Sequence, residues 1–67
     1  MIKSKIHIKI AEFRTTQKKV HEDTGIRLST LNAYCTDKYK TISKEHLDLL
    51  CKYFNCNVAD LLEYVED

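Results

Sequence analysis

The sequence predicts an all-α fold of five short helices around one core, and three observations carry that prediction. The chain has 67 residues with no proline and a single glycine, so little interrupts helices except the turns between them. Apolar residues recur at three- and four-residue spacing in successive segments, and three of these open on a capping side chain: Thr16, Ser43 or Asn57. Between residues 17 and 34 runs the pattern Gln17, Val20, Gly25, Ile26, Leu31, Tyr34. Two short amphipathic helices joined by a glycine turn would produce it.

Taken in order, residues 2–5 read as an extended arm. Ile6, Ile8 and Ile10 alternate at strand period, while Ile6, Ile10 and Phe13 fit a helical stripe at i, i+4, i+7; a helix over about 6–14 is expected. Thr16 caps the second helix through its hydroxyl, with Gln17 the first residue inside. That helix runs to about Thr24 with Val20 facing inward. Gly25 ends it, where the chain must turn sharply and positive φ is favoured. Ile26 anchors the turn in the core. The third helix spans 28–36. Leu31 and Tyr34, three residues apart, share its inward face, which leaves Leu28, Ser29, Asn32 and Ala33 pointing outward. Residues 36–41 form a polar loop holding Asp37, Lys38, Tyr39 and Lys40. Ser43 caps a fourth helix with an apolar stripe of Leu47, Leu50, Cys51 and Phe54, and Asn55 ends it in the left-handed conformation. Asn57 caps a fifth helix, with Asp60 in a capping-box position and Val58, Leu61 and Leu62 on the buried side. Tyr64 and Val65 can continue as a short extended tail. No repeat, low-complexity tract or linker divides the chain, so residues 1–67 are expected to form one domain.

Size and composition narrow the function classes. A domain this small buries only about 60% of its unfolded surface, which leaves no room for a deep enzyme cleft and makes dimerisation a natural source of added stability. Paired carboxylates, a phosphate-binding glycine loop and a nucleophile elbow are all missing from the pattern, so an enzyme is not expected. No apolar stretch reaches membrane-spanning length, and Met1-Ile2-Lys3-Ser4-Lys5 lacks the apolar run of an export signal; the expected location is cytoplasmic. Cys35, Cys51 and Cys56 then read as reduced thiols and not as a disulfide framework. His46, Cys51 and Cys56 lack the spacing of a closed four-ligand zinc site, so neither a metal nor a cofactor is expected. Cys51 is most simply a small core residue.

The formal net charge is only +1, but its distribution is uneven. Residues 1–20 carry Lys3, Lys5, Lys9, Arg14, Lys18 and Lys19 against Glu12 alone. Residues 41–67 carry Lys44 and Lys52 against Glu45, Asp48, Asp60, Glu63, Glu66 and Asp67. A molecule with a basic end and an acidic end results, and a basic face is what a phosphate backbone requires. The pair of helices around Gly25 is a helix-turn-helix, whose second helix ordinarily lies in the major groove of double-stranded DNA.

Five helices with this motif in the second and third resemble the phage repressor and Cro family, also called the xenobiotic-response-element family. The resemblance covers nearly the whole chain. It rests on Gln17, Val20, Gly25, Ile26, Leu31 and Tyr34, and on the Ser43 helix followed by Asn55-Cys56-Asn57-Val58-Ala59-Asp60-Leu61-Leu62. It implies a repressor-like transcriptional regulator acting as a homodimer. Leu28, Ser29, Asn32 and Ala33 match the base-facing positions. Gln17 matches a residue that touches a DNA phosphate, and Lys38 and Lys40 fall where the family meets the backbone; Arg14 and Lys18 complete the expected phosphate set. His21 stands where the family has a small residue, so its imidazole needs room and a hydrogen-bond partner. Arg27 stands where a Ser or Thr cap is common. Leu28 and Ala33 can contact thymine methyls but cannot read guanine, which biases recognition towards A·T. The rival reading keeps the fold but uses the same surface to bind another protein, a reading prompted by the near-neutral charge and the apolar members of the base-facing set.

Overall fold

Four α-helices, one 3-10 turn and a two-stranded sheet make up the structure, a computed structural model that describes residues 1–66. In chain order these are β1 (Ile2–Ser4), α1 (Ile6–Glu12), α2 (Gln17–Thr24), α3 (Leu28–Cys35), α4 (Lys44–Phe54), a 3-10 turn at Val58–Asp60, and β2 (Leu62–Tyr64). Asp67, counted above in the acidic end, lies outside the described residues. The five-helix expectation is therefore corrected. Asn57 and Asp60 do form the capping box, but the helix they start ends after one turn. Leu61 is fully buried, Val58 is 48% exposed, and Leu62 belongs to a strand. The chain leaves the helical path there because residues 62–64 pair antiparallel with 2–4, in the register Ile2–Tyr64, Lys3–Glu63, Ser4–Leu62. The extended arm and the extended tail are thus partners of each other.

Each helix stops at a left-handed residue. Gly25 (φ 80°) ends α2, and Arg14 (φ 52°), Asp37 (φ 57°) and Asn55 (φ 51°) follow α1, α3 and α4. After α1, α3 and α4 the next N–H reaches back to a carbonyl of the last turn: Thr15 N to Ile10 O, Lys38 N to Ala33 O, Cys56 N to Cys51 O. This closure satisfies carbonyls that the helix end leaves open. Arg14 shortens α1 by two residues relative to the expected 6–14. An L side chain at positive φ is costly by about 1–2 kcal/mol, so Asn55 and Asp37, with short polar side chains, suit their places better than Arg14 does. Asp37 also serves a second purpose, because its carboxylate accepts the Ser4 N–H at 2.8 Å and ties β1 to the end of α3.

All three expected caps, Thr16, Ser43 and Asn57, are made. Thr16 accepts from Lys19 N, and Ser43 accepts from Glu45 N and His46 N. Arg27 precedes α3 with no side-chain cap. The core is Ile6, Ile10, Val20, Ile26, Leu31, Tyr34, Leu50, Phe54 and Leu61, drawn from every helix and from the turn of the motif. Phe13 is half exposed but lays its ring edge-on to Phe54 at 5.0 Å.

One polar cluster clamps α2 to α4. Asp23 accepts from Tyr53 Oη at 2.6 Å and pairs with Lys19 at 3.3 Å. The Tyr53 hydrogen bond first, and Lys19 after it, hold the Asp23 carboxyl below the usual aspartate range. A depressed folded-state pKa contributes stability above the unfolded value and loses it as pH falls through the folded value. The melting-temperature gap between the parent and Asp23→Asn is therefore expected to be present at neutral pH and to close as pH drops through the low carboxylate range. A gap that is constant with pH in thermal melts would contradict this account of the clamp.

Candidate nucleic-acid interface

The turn between α2 and α3 is fixed by a local hydrogen-bond set. Thr24 Oγ1 donates to Val20 O at 2.7 Å and accepts from Ile26 N at 3.2 Å. Gly25 N donates to His21 O. His21 Nδ1 donates to Ile26 O at 2.6 Å, which supplies the partner its imidazole needed and bridges the turn from one side to the other. Ile26 is buried beneath it, 1% exposed. Together these contacts set the angle at which α3 leaves α2.

On α3 the buried and exposed faces separate as the spacing predicts. Leu31 and Tyr34 are in the core, and Leu28 is 42% exposed. Ser29 and Asn32 are exposed and Ala33 is half-buried. Leu28, Ser29 and Asn32 thus form an open polar-apolar strip, with Ala33 set lower at its margin. Asn32 meets Gln17 across the motif, its Nδ2 donating to Gln17 Oε1 at 3.4 Å. An amide nitrogen has two protons. Asn32 therefore keeps one N–H and its Oδ1 for an adenine edge, while Gln17 keeps its own amide protons for a neighbouring anion. Sequence spacing placed the two residues in separate roles, and the structure brings them together at the mouth of the motif.

Among the described residues three lysines are held in ion pairs. Lys9 pairs with Glu12, Lys19 with Asp23 and Lys52 with Asp48. Arg14, Lys18, Lys38 and Lys40 are all exposed, and among the described residues none of them is held in an ion pair. These four are the cations expected from the sequence at phosphates. Lys18 stands in the first turn of α2 beside Gln17, and Lys38 and Lys40 stand in the loop that follows α3.

Beside α3 lies a shallow open cleft lined by Ser29, Ala33, Tyr39, Lys40, Ser43 and His46. Its floor is aromatic. Tyr34 Oη and His46 Nδ1 are hydrogen-bonded at 2.7 Å, and Tyr39 packs edge-on to Tyr34 at 5.4 Å. Tyr39 Oη is buried without a hydrogen bond among the described residues, and burial pushes its pKa up. Tyr39 thus packs against Tyr34 beneath the loop. The Tyr34–His46 bond, which links α3 to α4, had no signal in the sequence beyond the helical stripe that placed Tyr34 inward. Among the described residues no helix is long and apolar enough to cross a membrane.

Comparison with known proteins agrees with this geometry. Residues 5–67 match the model of the Cro/C1-type HTH DNA-binding domain. A crystal structure of a "putative DNA-binding protein" from Bacteroides fragilis superposes with a TM-score of 0.82 at 22% identity, covering 94% of this chain and 100% of that one; at that identity the likeness speaks for the fold. No curated protein matches the chain. With the α2–turn–α3 unit intact and the family match running from the end of β1 to the C-terminus, this chain belongs to the Cro/C1-type HTH DNA-binding domain family.

Proposed function

We propose that the protein is a sequence-specific transcriptional regulator, working in the cytoplasm as a homodimer that lays α3 in the major groove of double-stranded DNA. The observation that carries this reading is the exposed strip of Leu28, Ser29 and Asn32 on α3, together with the exposed Arg14, Lys18, Lys38 and Lys40, which among the described residues are held in no ion pair. Leu28 and Ala33 would contact thymine methyls, and Asn32 would read adenine through its remaining donor and acceptor. Arg14, Gln17, Lys18, Lys38 and Lys40 would hold phosphates, fixing register without reading sequence.

Salt dependence tests it. Each phosphate neutralised by a lysine releases counterions, so affinity should fall steeply as salt rises, and Lys38→Ala should make that slope shallower by about one unit. The measurement is fluorescence-anisotropy titration over a salt series. The 42% exposure of Leu28 also suits an apolar protein contact. Binding whose slope is near zero, and unchanged in Lys38→Ala, would favour that rival and a protein partner.

The homodimer is supported by exposed apolar side chains towards the two ends of the chain: Ile2, Ile8, Tyr64 and Val65 are exposed by 57%, 45%, 70% and 36%. Val65 N donates to Met1 O and Lys5 N to Leu61 O, so the alternate residues turn their backbone groups to the outer edges. Asp37 covers the outer edge of β1 at Ser4. Among the described residues the outer edge of β2, at Leu62 and Tyr64, has no such cover, and an open edge is a template for pairing. Two-fold pairing there would present two α3 helices to half-sites about one DNA turn apart. Sedimentation at high micromolar concentration without DNA is expected to show a dimer; a pure monomer would count against this interface.

A further inference from the structure

We propose that Cys51 and Cys56 form a reversible dithiol site, which a peroxide-class two-electron oxidant converts into an intramolecular disulfide. The end of α4 builds it. Cys56 N donates to Cys51 O at 3.0 Å and Asn55 N to Lys52 O at 3.3 Å, while Asn55 takes φ 51°. This closure folds residue 56 back over residue 51, the two positions that ordinarily make the apolar contact of such a turn. Here both are cysteines. Each is half-buried with its thiol free. Cys35 sits on α3 and takes no part in this turn.

The chemistry is balanced with the oxidant alone. One thiol loses its proton and attacks a peroxide oxygen, giving a sulfenic acid and one water. The second thiol displaces the sulfenic oxygen as another water, and the S–S bond forms. The two sulfurs together lose two electrons and the peroxide gains them. Burial, followed by Cys51 and Asp60, pushes the Cys56 thiol up, with Lys9 opposing. Reaction therefore draws on a small thiolate fraction, and it is the turn folding residue 56 back over residue 51 that selects this pair over Cys35.

Trypsin cleavage after Lys52 separates the two cysteines, which makes the test direct. Native reduced protein is treated with hydrogen peroxide, alkylated, digested and analysed by mass spectrometry. The expected product joins peptides 45–52 and 53–67, weighs two hydrogens less than their sum, and separates on reduction. Cys35→Ser should leave this product in place, and Cys51→Ser should abolish it. Treatment in denaturant should spread the cross-links to Cys35, because the α4 turn is then gone. The proposal is overturned if native protein gives Cys51 and Cys56 alkylated or over-oxidised separately, or joined mainly to Cys35 or to a second chain. None of these outcomes depends on DNA binding.

Discussion

Leu31→Ala is expected to leave most of the protein unfolded at room temperature, while Leu28→Ala, three residues earlier on the same helix, is expected to fold like the parent. Leu31 is fully buried and Leu28 is 42% exposed. Truncating a buried leucine costs about 2–5 kcal/mol, the removed methyls and the cavity contributing together. A single small core supplies no more than about 3–5 kcal/mol in all, so the loss is comparable to the whole stability. An exposed substitution ordinarily stays within about 0.5 kcal/mol. Circular dichroism melts of the two variants compare the faces directly. A stable Leu31→Ala, or an unfolded Leu28→Ala, would mean that α3 presents a different face to the core.

The second large effect concerns binding. Asn32→Ala is expected to cost about 1–3 kcal/mol on the preferred DNA site, roughly a 5- to 150-fold loss of affinity, and little on scrambled DNA. Asn32 is the member of the base-facing set whose amide carries a donor and an acceptor side by side, the bidentate match to adenine. Gln17→Ala should weaken all DNA nearly uniformly, because a phosphate contact carries no sequence information. Their 3.4 Å contact adds a condition that the sequence did not suggest: the double variant should lose less than the sum of the two single losses, since each side chain supports the other. If Asn32→Ala leaves the ratio of specific to scrambled affinity unchanged, α3 does not read bases through this residue.

What the sequence revealed was local, and what it concealed was mostly not. Thr16 and Ser43 mark helix starts because a hydroxyl reaches an N–H two or three residues on. Gly25 and Asn55 mark helix ends because they tolerate positive φ. The inward pair Leu31 and Tyr34 follows from helical spacing alone. The fifth helix failed for the opposite reason. Asn57 and Asp60 form the same capping box whether one turn follows or several, and the decision lies with β1, some sixty residues away in the chain. Asp37 reads as a loop residue, yet its left-handed backbone and its bond to Ser4 N, 33 residues distant, hold the arm in place. Arg14 gives no hint of its positive φ, since arginine has no preference for it. At the interface, the exposed strip of α3 was legible as a face, whereas the Gln17–Asn32 contact and the His21 bridge to Ile26 needed the angle between α2 and α3.

Whether α3 reads DNA within a two-fold assembly is decided by selecting bound sequences from random double-stranded DNA with the purified protein. The expected result is enrichment of a two-fold symmetric site, A·T-rich under each α3, with half-sites spaced about one helical turn apart and with recovery falling as salt is raised. Recovery of no shared sequence at low salt, or of an unrepeated half-site only, would contradict it.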